Sequence, residues 1–430
     1  MSVIAGVVAV LAVALSAAPL TLDDALALAA RRNPELQLAR TDVEAAGANV
    51  RLSYRGVLPR VDLTGAFGAQ HTQAFGVGAA SGDHLLELDL TQPIFDGLTN
   101  WNTISAQRAR ETAARQQLEE TTARIAVGVT RAFYEVVKQR HALEVRRGTA
   151  ELSAELVKRA DALFTAGRGS KADTYSARAN LENDRIAVQS QEAALEVARA
   201  ALAATIGLGS DIGLDVVPPF AVTGPELPPL EQPPPLADLL AQARKHRPLI
   251  ASLRLAGEAA QTDVRAAQGA YWPIVGLRGS LIRTATGFSG ANGVFAAPGD
   301  LYTAVGQVTL AWNLFAGGTT AAAISLARAA DDRAQASLAQ GEEAVASEVE
   351  VARAQVVTLA GSASSLRPLL EASENALRFA RELLDAGRSS QLEVRDASLK
   401  LEQARLVWVN TAVDLVVARA DLARAVGAPR

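Results

Sequence analysis

The segments AGRGSKADTYSARANLENDR, at residues 166–185, and AGRSSQLEVRDASLKLEQAR, at residues 386–405, are two versions of one sequence placed 220 residues apart. Both begin with Ala-Gly-Arg, carry a serine two residues later, and end with a shared Leu-Glu pair and arginine. Internal repetition on this scale indicates a duplicated structural unit, so each half should fold in the same way. The same offset relates further pairs outside these segments: Phe95 with Phe315, Gly97 with Gly317, and Gly207 with Gly427.

Earlier in each half the offset is 214 residues, and the six-residue difference lies in one loop. We therefore expect a first structural repeat over 19–217 and a second over 236–430. The stretch 218–235 between them is rich in proline and predicts an extended linker. The residues matched at the shorter offset include Leu22, Asp24, Pro34, Pro59 and Leu63, which fall on Leu236, Asp238, Pro248, Pro273 and Leu277.

The amino-acid composition favours some classes of protein and excludes others. Hydrophobic residues make up 49% of the 430 residues, yet alanine supplies much of that share and aromatic residues reach only 4%, which is typical of long helices. A net charge of −4 offers no basic field for nucleic acid, so that partner is excluded. There is no cysteine, and no histidine stands at ligand spacing, so neither a metal site nor a cofactor is predicted. The four histidines are His71, His84, His141 and His246.

Residues 1–18 form an apolar run that ends in small side chains, with Ser16 and Ala18 placed as at a signal-peptidase site. The run falls short of the roughly 20 apolar residues that a transmembrane helix needs. We therefore expect a signal peptide and export from the cytoplasm.

Each repeat contains two stretches in which apolar and polar residues alternate, the pattern of β-strands. They cover about 60–71 and 85–94 in the first repeat, and about 274–284 and 302–312 in the second. A length of roughly ten residues suits tilted strands that cross a membrane, with one face towards lipid. The apolar positions are Val61, Leu63, Gly65, Phe67, Ala69, Leu86, Leu88, Leu90, Val275, Leu277, Gly279, Leu281, Gly306, Val308, Leu310 and Trp312.

Long helices make up the rest of each repeat. We expect a first helix over about 23–56 and long helical hairpins over 97–208 and 317–427, each with its turn at an Ala-Gly-Arg. Residues 97–166 would span ~105 Å as one unbroken helix. The helices at 23–56 and 171–206 together have the same length, which predicts an elongated, tube-like body.

Apolar residues recur every seven positions along the long helices, which indicates antiparallel coiled-coil hairpins. These side chains are therefore expected to pack along a seam between helices. One series in the second repeat is Val349, Val356, Ala363, Leu370, Leu377 and Leu384. The matching series in the first repeat is Val129, Val136, Leu143, Ala150, Val157 and Phe164.

Four strands are too few for a closed membrane barrel, which needs at least about eight. An open sheet edge in lipid would leave backbone groups unpaired, so other chains must complete the sheet, and three chains would supply twelve strands. The alternative, a soluble β-domain with packed aromatic side chains, stays open at this stage. The aromatic residues that flank the strands, where an interfacial girdle would lie, are Trp101, Tyr271, Trp272, Trp312 and Phe315.

Together these features resemble the TolC-like outer-membrane efflux protein family. The resemblance covers the whole chain after the signal peptide. It is carried by LTLDDALALAARRNPEL at 20–36, the helix-to-strand switch at Leu58-Pro59, Phe95-Asp-Gly97, Phe315-Ala-Gly317 and the two Ala-Gly-Arg turns.

The family's fold is mainly α with a membrane β-barrel portion. The resemblance therefore implies long antiparallel coiled-coil hairpins plus four strands per protomer, shared in a homotrimer with a twelve-stranded barrel and an α-helical periplasmic barrel. It also implies a place in the outer-membrane lipid of a Gram-negative bacterium, extending into the periplasm, and docking onto a periplasmic adaptor (membrane fusion protein) and an inner-membrane transporter. No enzymatic activity and no cofactor are implied.

The resemblance places the periplasmic entrance and the adaptor contacts at the two turns. The entrance carboxylates would be Asp173, Glu393 and Asp396. Ser390-Gln-Leu-Glu393 is a capping box and Ser170-Lys-Ala-Asp173 is close to one, so helix capping alone explains both carboxylates. For Glu393, capping and a gate role stay equally open. Asp396 is less needed for capping, and a threefold axis would bring its like charges together in a way that favours cations. Where the family often has a tyrosine, this chain has Leu384. The turn residues expected to contact the adaptor are Gly167, Arg168, Ser170, Gly387, Arg388 and Ser390.

The function expected from this set is passive export through the outer-membrane duct of a tripartite efflux or type I secretion system. The alternative is a non-channel periplasmic adaptor or scaffold built from a coiled coil. An adaptor would normally have one hairpin flanked by small β-domains, not two copies with amphipathic strands. The sequence alone leaves drug, metal and protein open as substrates.

Overall fold

The computed structural model describes residues 20–74, 77–208, 216, 232–286 and 301–428. The predicted signal peptide and most of the predicted linker lie outside these residues. The mainly helical fold with four strands is confirmed. The described elements are, in order, α1 (Leu22–Arg32), α2 (Pro34–Ser53), β1 (Arg60–Ala74), β2 (Val77–Phe95), α3 (Thr99–Thr165), α4 (Lys171–Ile206), α5 (Leu236–His246), α6 (Pro248–Gln268), β3 (Ile274–Thr286), β4 (Leu301–Ala311), α7 (Thr319–Asp385) and α8 (Gln391–Ala425).

The four strands form one antiparallel sheet in the order β1-β2-β3-β4. The first two are longer than the alternation predicted, because the backbone ladder continues through the small residues up to Ala74 and Val77. Cross-strand pairs such as Leu63 with Leu88 place the predicted apolar positions on one face of the sheet. This face is exposed in the single chain: Leu63 and Val308 are each 69% accessible. Exposed apolar surface on this scale marks a face that contacts something other than water.

Within the described residues, β1 and β4 each pair with only one neighbour, so both edges of the sheet are open. No helix of the described part of the chain is long and apolar enough to cross a membrane.

The single helix predicted over 23–56 is wrong, because the chain breaks at Asn33 into α1 and α2. Asn33 and Arg247, the matching residue of the second repeat, both have extended backbones. Each precedes a proline, whose ring disfavours the helical conformation in the residue before it. The Asn33 side chain then caps α2 by accepting from the backbone N–H of Glu35 at 2.8 Å.

The end of α4 packs backbone to backbone against the first break. Gly207 has a φ of +75°, and a Cβ added there would lie 2.6 Å from the carbonyl oxygen of Arg32. The Asn33 amide also donates to the carbonyl of Thr205 at 2.8 Å. In the second repeat Gly427 meets the break at His246 with the same 2.6 Å approach. Glycine is needed at both positions because any side chain would force the two segments apart.

A buried group of charges surrounds the second break. Arg247 pairs with Glu120 at 2.8 Å and with Glu348 at 2.9 Å, and it donates to the backbone carbonyl of Arg424 at 2.6 Å. Arg424 in turn pairs with Glu120 at 3.2 Å. Burial lowers the pKa of Arg424, and the neighbouring Arg247 guanidinium lowers it further. These contacts fix the second break to three other helices.

The chain divides into two compact units, and each draws on both repeats. The first consists of Met1–Leu38, Glu120–Arg247 and Ala344–Arg430, and the second of Ala39–Glu119 and Pro248–Glu343. The second unit holds the sheet, and the first holds both Ala-Gly-Arg turns. The spatial units therefore cut across the sequence repeats.

The predicted heptad seam is largely buried, with one exception in the first repeat. Val129 and Val349 are fully buried, but Phe164 is exposed. Phe164 lies in the last turn of α3. Its equivalent Leu384, in the last turn of α7, is buried against Leu152 and Leu156 of the first hairpin and Val394 of its own hairpin.

Gly207→Ala should lower the free energy of unfolding by about 2 kcal/mol, because it adds both left-handed strain and a backbone clash. Gly128→Ala is the matched control, since Gly128 lies inside α3 with open space around it, and alanine there is neutral or stabilising by up to about 1 kcal/mol. Thermal unfolding followed by circular dichroism measures both. Equal midpoints for the two variants would contradict the close approach at Gly207.

Candidate functional site

The two Ala-Gly-Arg turns have the same geometry. Gly167 and Gly387 have φ values of +68° and +67°. The next residue closes each turn, since the N–H of Arg168 donates to the carbonyl of Leu163 at 2.8 Å. This is the usual way to end a helix, and it needs a residue without Cβ at the left-handed position. The repeated glycine is therefore explained by the turn itself.

The first predicted entrance carboxylate, Asp173, takes part in a complete capping box. The Ser170 hydroxyl accepts from the backbone N–H of Ala172 at 3.1 Å. The backbone N–H of Ser170 donates to the Asp173 carboxylate at 3.3 Å. Capping of α4 is thus an observed role of Asp173.

Glu393 caps α8 less completely than its sequence predicts. The Ser390 hydroxyl accepts from the backbone N–H of Glu393 at 3.3 Å, but the Glu393 carboxylate accepts from the Ser389 hydroxyl instead of returning to Ser390. The expectation of a complete box at Ser390 and a partial one at Ser170 is therefore wrong. The cause is the residue before the cap: Ser389 offers a competing hydroxyl, whereas the first repeat has Gly169 there.

The third carboxylate, Asp396, pairs with Lys400 one turn further along α8, at 2.7 Å. Both side chains are exposed, so the pair adds little to stability. The ammonium group nevertheless offsets the carboxylate charge locally, which weakens the expected attraction of this position for cations.

A groove of about 410 Å³ lies between the tips of the two hairpins. Its floor includes Leu156 and Leu384, and its rim includes Asp173 and Asn180. Leu384 packs with Leu156 and Val394 in a buried cluster. The position where the family often has a tyrosine is therefore part of the apolar core in this chain.

Beside this groove is a buried ion pair that sequence reasoning missed. The Arg395 guanidinium contacts both carboxylate oxygens of Asp184, at 2.6 and 2.7 Å, and donates to the Ser153 hydroxyl at 2.8 Å. The Ser153 hydroxyl also donates to Asp184 at 2.6 Å. The side chains of Arg395 and Asp184 are only 13% and 10% exposed. The network joins α3, α4 and α8, and hence the two hairpins.

A second arginine joins the hairpins closer to the turns. Arg159 of α3 donates to the backbone carbonyl of Leu384 at 2.7 Å and pairs with the carboxylate of Asp385. The contact to Leu384 is made by backbone, so it does not depend on the side chain at that position.

The predicted interfacial aromatics all belong to the second unit and are exposed. Their apolar rings are exposed near the ends of the strands, which is the arrangement that an interfacial girdle requires. The Trp312 side chain makes a hydrogen bond from its indole N–H to the carbonyl of Tyr271 at 3.1 Å. Their place at a membrane surface stays a prediction.

The sequence matches the model of the outer membrane efflux protein family over residues 25–208 and 239–428. The chain belongs to the outer membrane efflux protein family. Among curated relatives, outer membrane efflux protein BepC of Brucella suis is 24% identical, over 95% of this chain and 85% of the relative. Outer membrane protein TolC of Escherichia coli K12 is also 24% identical, over 92% of this chain and 80% of the relative.

Solved structures agree on the fold. The CmeC outer membrane channel of Campylobacter jejuni has a TM-score of 0.80 at 19% identity, over 94% of this chain and 85% of that chain. The predictions of a TolC-like fold, an efflux channel and an outer-membrane location are confirmed. Family and fold are those of transport conduits rather than enzymes, and they do not support the adaptor alternative.

Arg395→Leu should lower the free energy of unfolding by about 3–5 kcal/mol, because it leaves the buried Asp184 charge without a partner. The double variant D184L/R395L should lose much less, because no charge is left buried. Arg185→Leu is the matched control: its pair with Glu182 is exposed and worth at most about 1 kcal/mol. Denaturant unfolding compares the three, and equal losses for R395L and R185L would contradict the buried pair.

Proposed function

We propose that three copies of this chain form the outer-membrane duct of a tripartite efflux or type I secretion system. The observation that carries the proposal is the four-stranded sheet, which within the described residues has two open edges and one exposed apolar face. In lipid, such a sheet is stable only when other strands pair with both edges and close it. Three chains would supply twelve strands to one closed barrel. Its apolar outer face would contact lipid, and its polar inner face would line a water-filled lumen.

The polar face of the sheet suits a water-filled lumen. Asp89 of β2 pairs with Arg278 of β3 at 2.6 Å, on the face opposite the apolar one. Neighbouring positions on this face carry Glu87 and Ser280. Charged groups of this kind are stable in a membrane protein where they meet water.

The two hairpin turns are proposed as the periplasmic entrance and as the surface that contacts the periplasmic adaptor. Gly167, Arg168, Gly387 and Arg388 are all exposed, so they are available to a partner. Beyond the adaptor, the duct would receive its substrate from an inner-membrane transporter. Passage through the duct itself is passive in this proposal.

Asp173, Glu393 and Asp396 are proposed to line the entrance. The Asp173 carboxylate also caps the start of α4, and the Glu393 carboxylate accepts from the Ser389 hydroxyl, so each would combine a local structural contact with an effect on passing ions. Three copies around an axis would place these charges near one another, where their fields add.

The duct proposal predicts that purified protein reconstituted in planar bilayers conducts. In the variant E393Q/D396N the preference for cations over anions should fall roughly twofold, because two carboxylates per chain lose their charge. Asp414→Asn, further along α8, is the control and should leave selectivity unchanged. Absence of conductance in both the natural protein and E393Q/D396N would contradict the duct.

Lys400→Gln should change selectivity in the opposite direction. Removal of the ammonium leaves the Asp396 charge without compensation, so the cation preference should rise roughly twofold at low salt and less at high salt. Reversal potentials in a salt gradient measure this. A preference unchanged by K400Q, together with a drop in D396N, would show that Lys400 does not offset Asp396.

A further inference from the structure

The polar face of the sheet carries a zone of charge next to the helices. Residues that pair across neighbouring strands lie on the same face, and every second residue along a strand returns to that face. Three successive rows of paired positions, about 7 Å apart, contain five charged residues. The first row is Arg60, Thr91, Arg278 and Gln307, the second is Asp62, Asp89, Ser280 and Val305, and the third is Thr64, Glu87, Ile282 and Thr303.

These charges are sorted by sign. The first row carries positive charge only, on Arg60 and Arg278, and the other two rows carry negative charge only, on Asp62, Asp89 and Glu87. We call these five residues the charged belt. Arg60 is the first residue of β1 and Arg278 lies near the start of β3, so the positive row is the one nearer the helices. Strand β4 contains no charged residue.

Ion pairs neutralise most of the charged belt. Arg278 donates to the Asp89 carboxylate from two nitrogen atoms, from Nε at 3.0 Å and from Nη2 at 2.6 Å. The Nε of Arg60 lies 2.6 Å from the Asp62 carboxylate. Glu87 forms no ion pair with any residue that the structure describes. Two positive and three negative side chains leave one net negative charge per chain, and Glu87 supplies it.

In a closed barrel of three copies, the charged belt would form a ring around the lumen. Twelve strands ~4.8 Å apart and tilted by about 40° would enclose a space roughly 24 Å across between backbones. Salt at 0.1 M screens charges over about 10 Å, so the potential of the ring would extend over much of this space. The surrounding wall has a low dielectric constant, which concentrates the field in the water of the lumen.

We propose that the charged belt is a second ion-selective ring of the duct, in the sheet rather than at the hairpin turns, and that Glu87 gives it a preference for cations. This inference rests on the proposed trimeric duct. Each arginine is matched by a carboxylate of the second row, so three Glu87 side chains carry the net charge of the ring. Cationic solutes therefore pass the ring more readily than anionic solutes of the same size.

Cysteine modification tests the face and its field without any need for conduction, and the chain has no cysteine of its own to interfere. Thr64 pairs with Glu87 on the polar face, and Leu88 lies on the apolar face. In proteoliposomes, water-soluble methanethiosulfonates should modify T64C at least tenfold faster than L88C. T64C should also react about threefold faster with a cationic reagent than with an anionic one, after correction for their rates with free cysteine.

Adding E87Q should bring this charge ratio at T64C close to one, because the uncompensated carboxylate is lost. Adding R278Q should raise it, because Asp89 loses its guanidinium partner. A charge ratio unchanged by E87Q and R278Q, with T64C still the faster site, would overturn the ring alone. Equal modification of T64C and L88C would overturn both the barrel and the ring that rests on it.

Reversal potentials in planar bilayers then test permeation itself. At 0.1 M salt, E87Q should lower the potassium-to-chloride permeability ratio about twofold, and R278Q should raise it about twofold. Q307E adds a carboxylate to the positive row on β4 and should give the same rise should R278Q fail to assemble. D414N, outside the charged belt, is the control and should leave the ratio unchanged. A ratio unaffected by E87Q, R278Q and Q307E would overturn the ring, whereas no conductance from the natural protein or any variant would contradict the duct.

Discussion

Backbone hydrogen bonding at the edges of a four-stranded sheet constrains the rest of this molecule. In the part of the chain that the structure describes, strands β1 and β4 each have a partner on one side only, and the apolar face of the sheet is exposed. In water the free N–H and C=O groups of the edges could form hydrogen bonds with solvent, but the apolar face would then be exposed to water as well. Lipid suits that face but cannot satisfy the edges. Closure by further copies would resolve both conflicts, and one chain would then be one part of a larger barrel.

Much of the fold follows from local sequence pattern. The alternation at Val61 and Leu63 predicts strands, and the register then places both residues on the exposed apolar face. The glycines of the two turns predict left-handed helix ends, which Gly167 and Gly387 adopt. These features can be predicted from the sequence because their cause lies within a few neighbouring residues. The helix break before Pro34 can be predicted for the same reason, although the hydrophobic periodicity alone does not reveal it.

Contacts between distant segments could not be predicted in this way. Arg395 and Asp184 are 211 positions apart, and no period or spacing connects them. Phe164 fits the heptad series yet is exposed, whereas its equivalent Leu384 is buried against Leu152, Leu156 and Val394. The heptad pattern is the same at both positions, so it does not reveal that difference.

Duplication thus gives the chain two similar halves, and each half supplies two strands to one sheet. The closure of the sheet by other copies is the central claim, and the number of copies tests it most directly. Native mass spectrometry of the detergent-released protein should give an assembly of three chains, each close to the 44.9 kDa of the full sequence less the predicted signal peptide. An assembly of one or two chains that still conducts would contradict it, because four or eight of these strands would then have to close the wall alone.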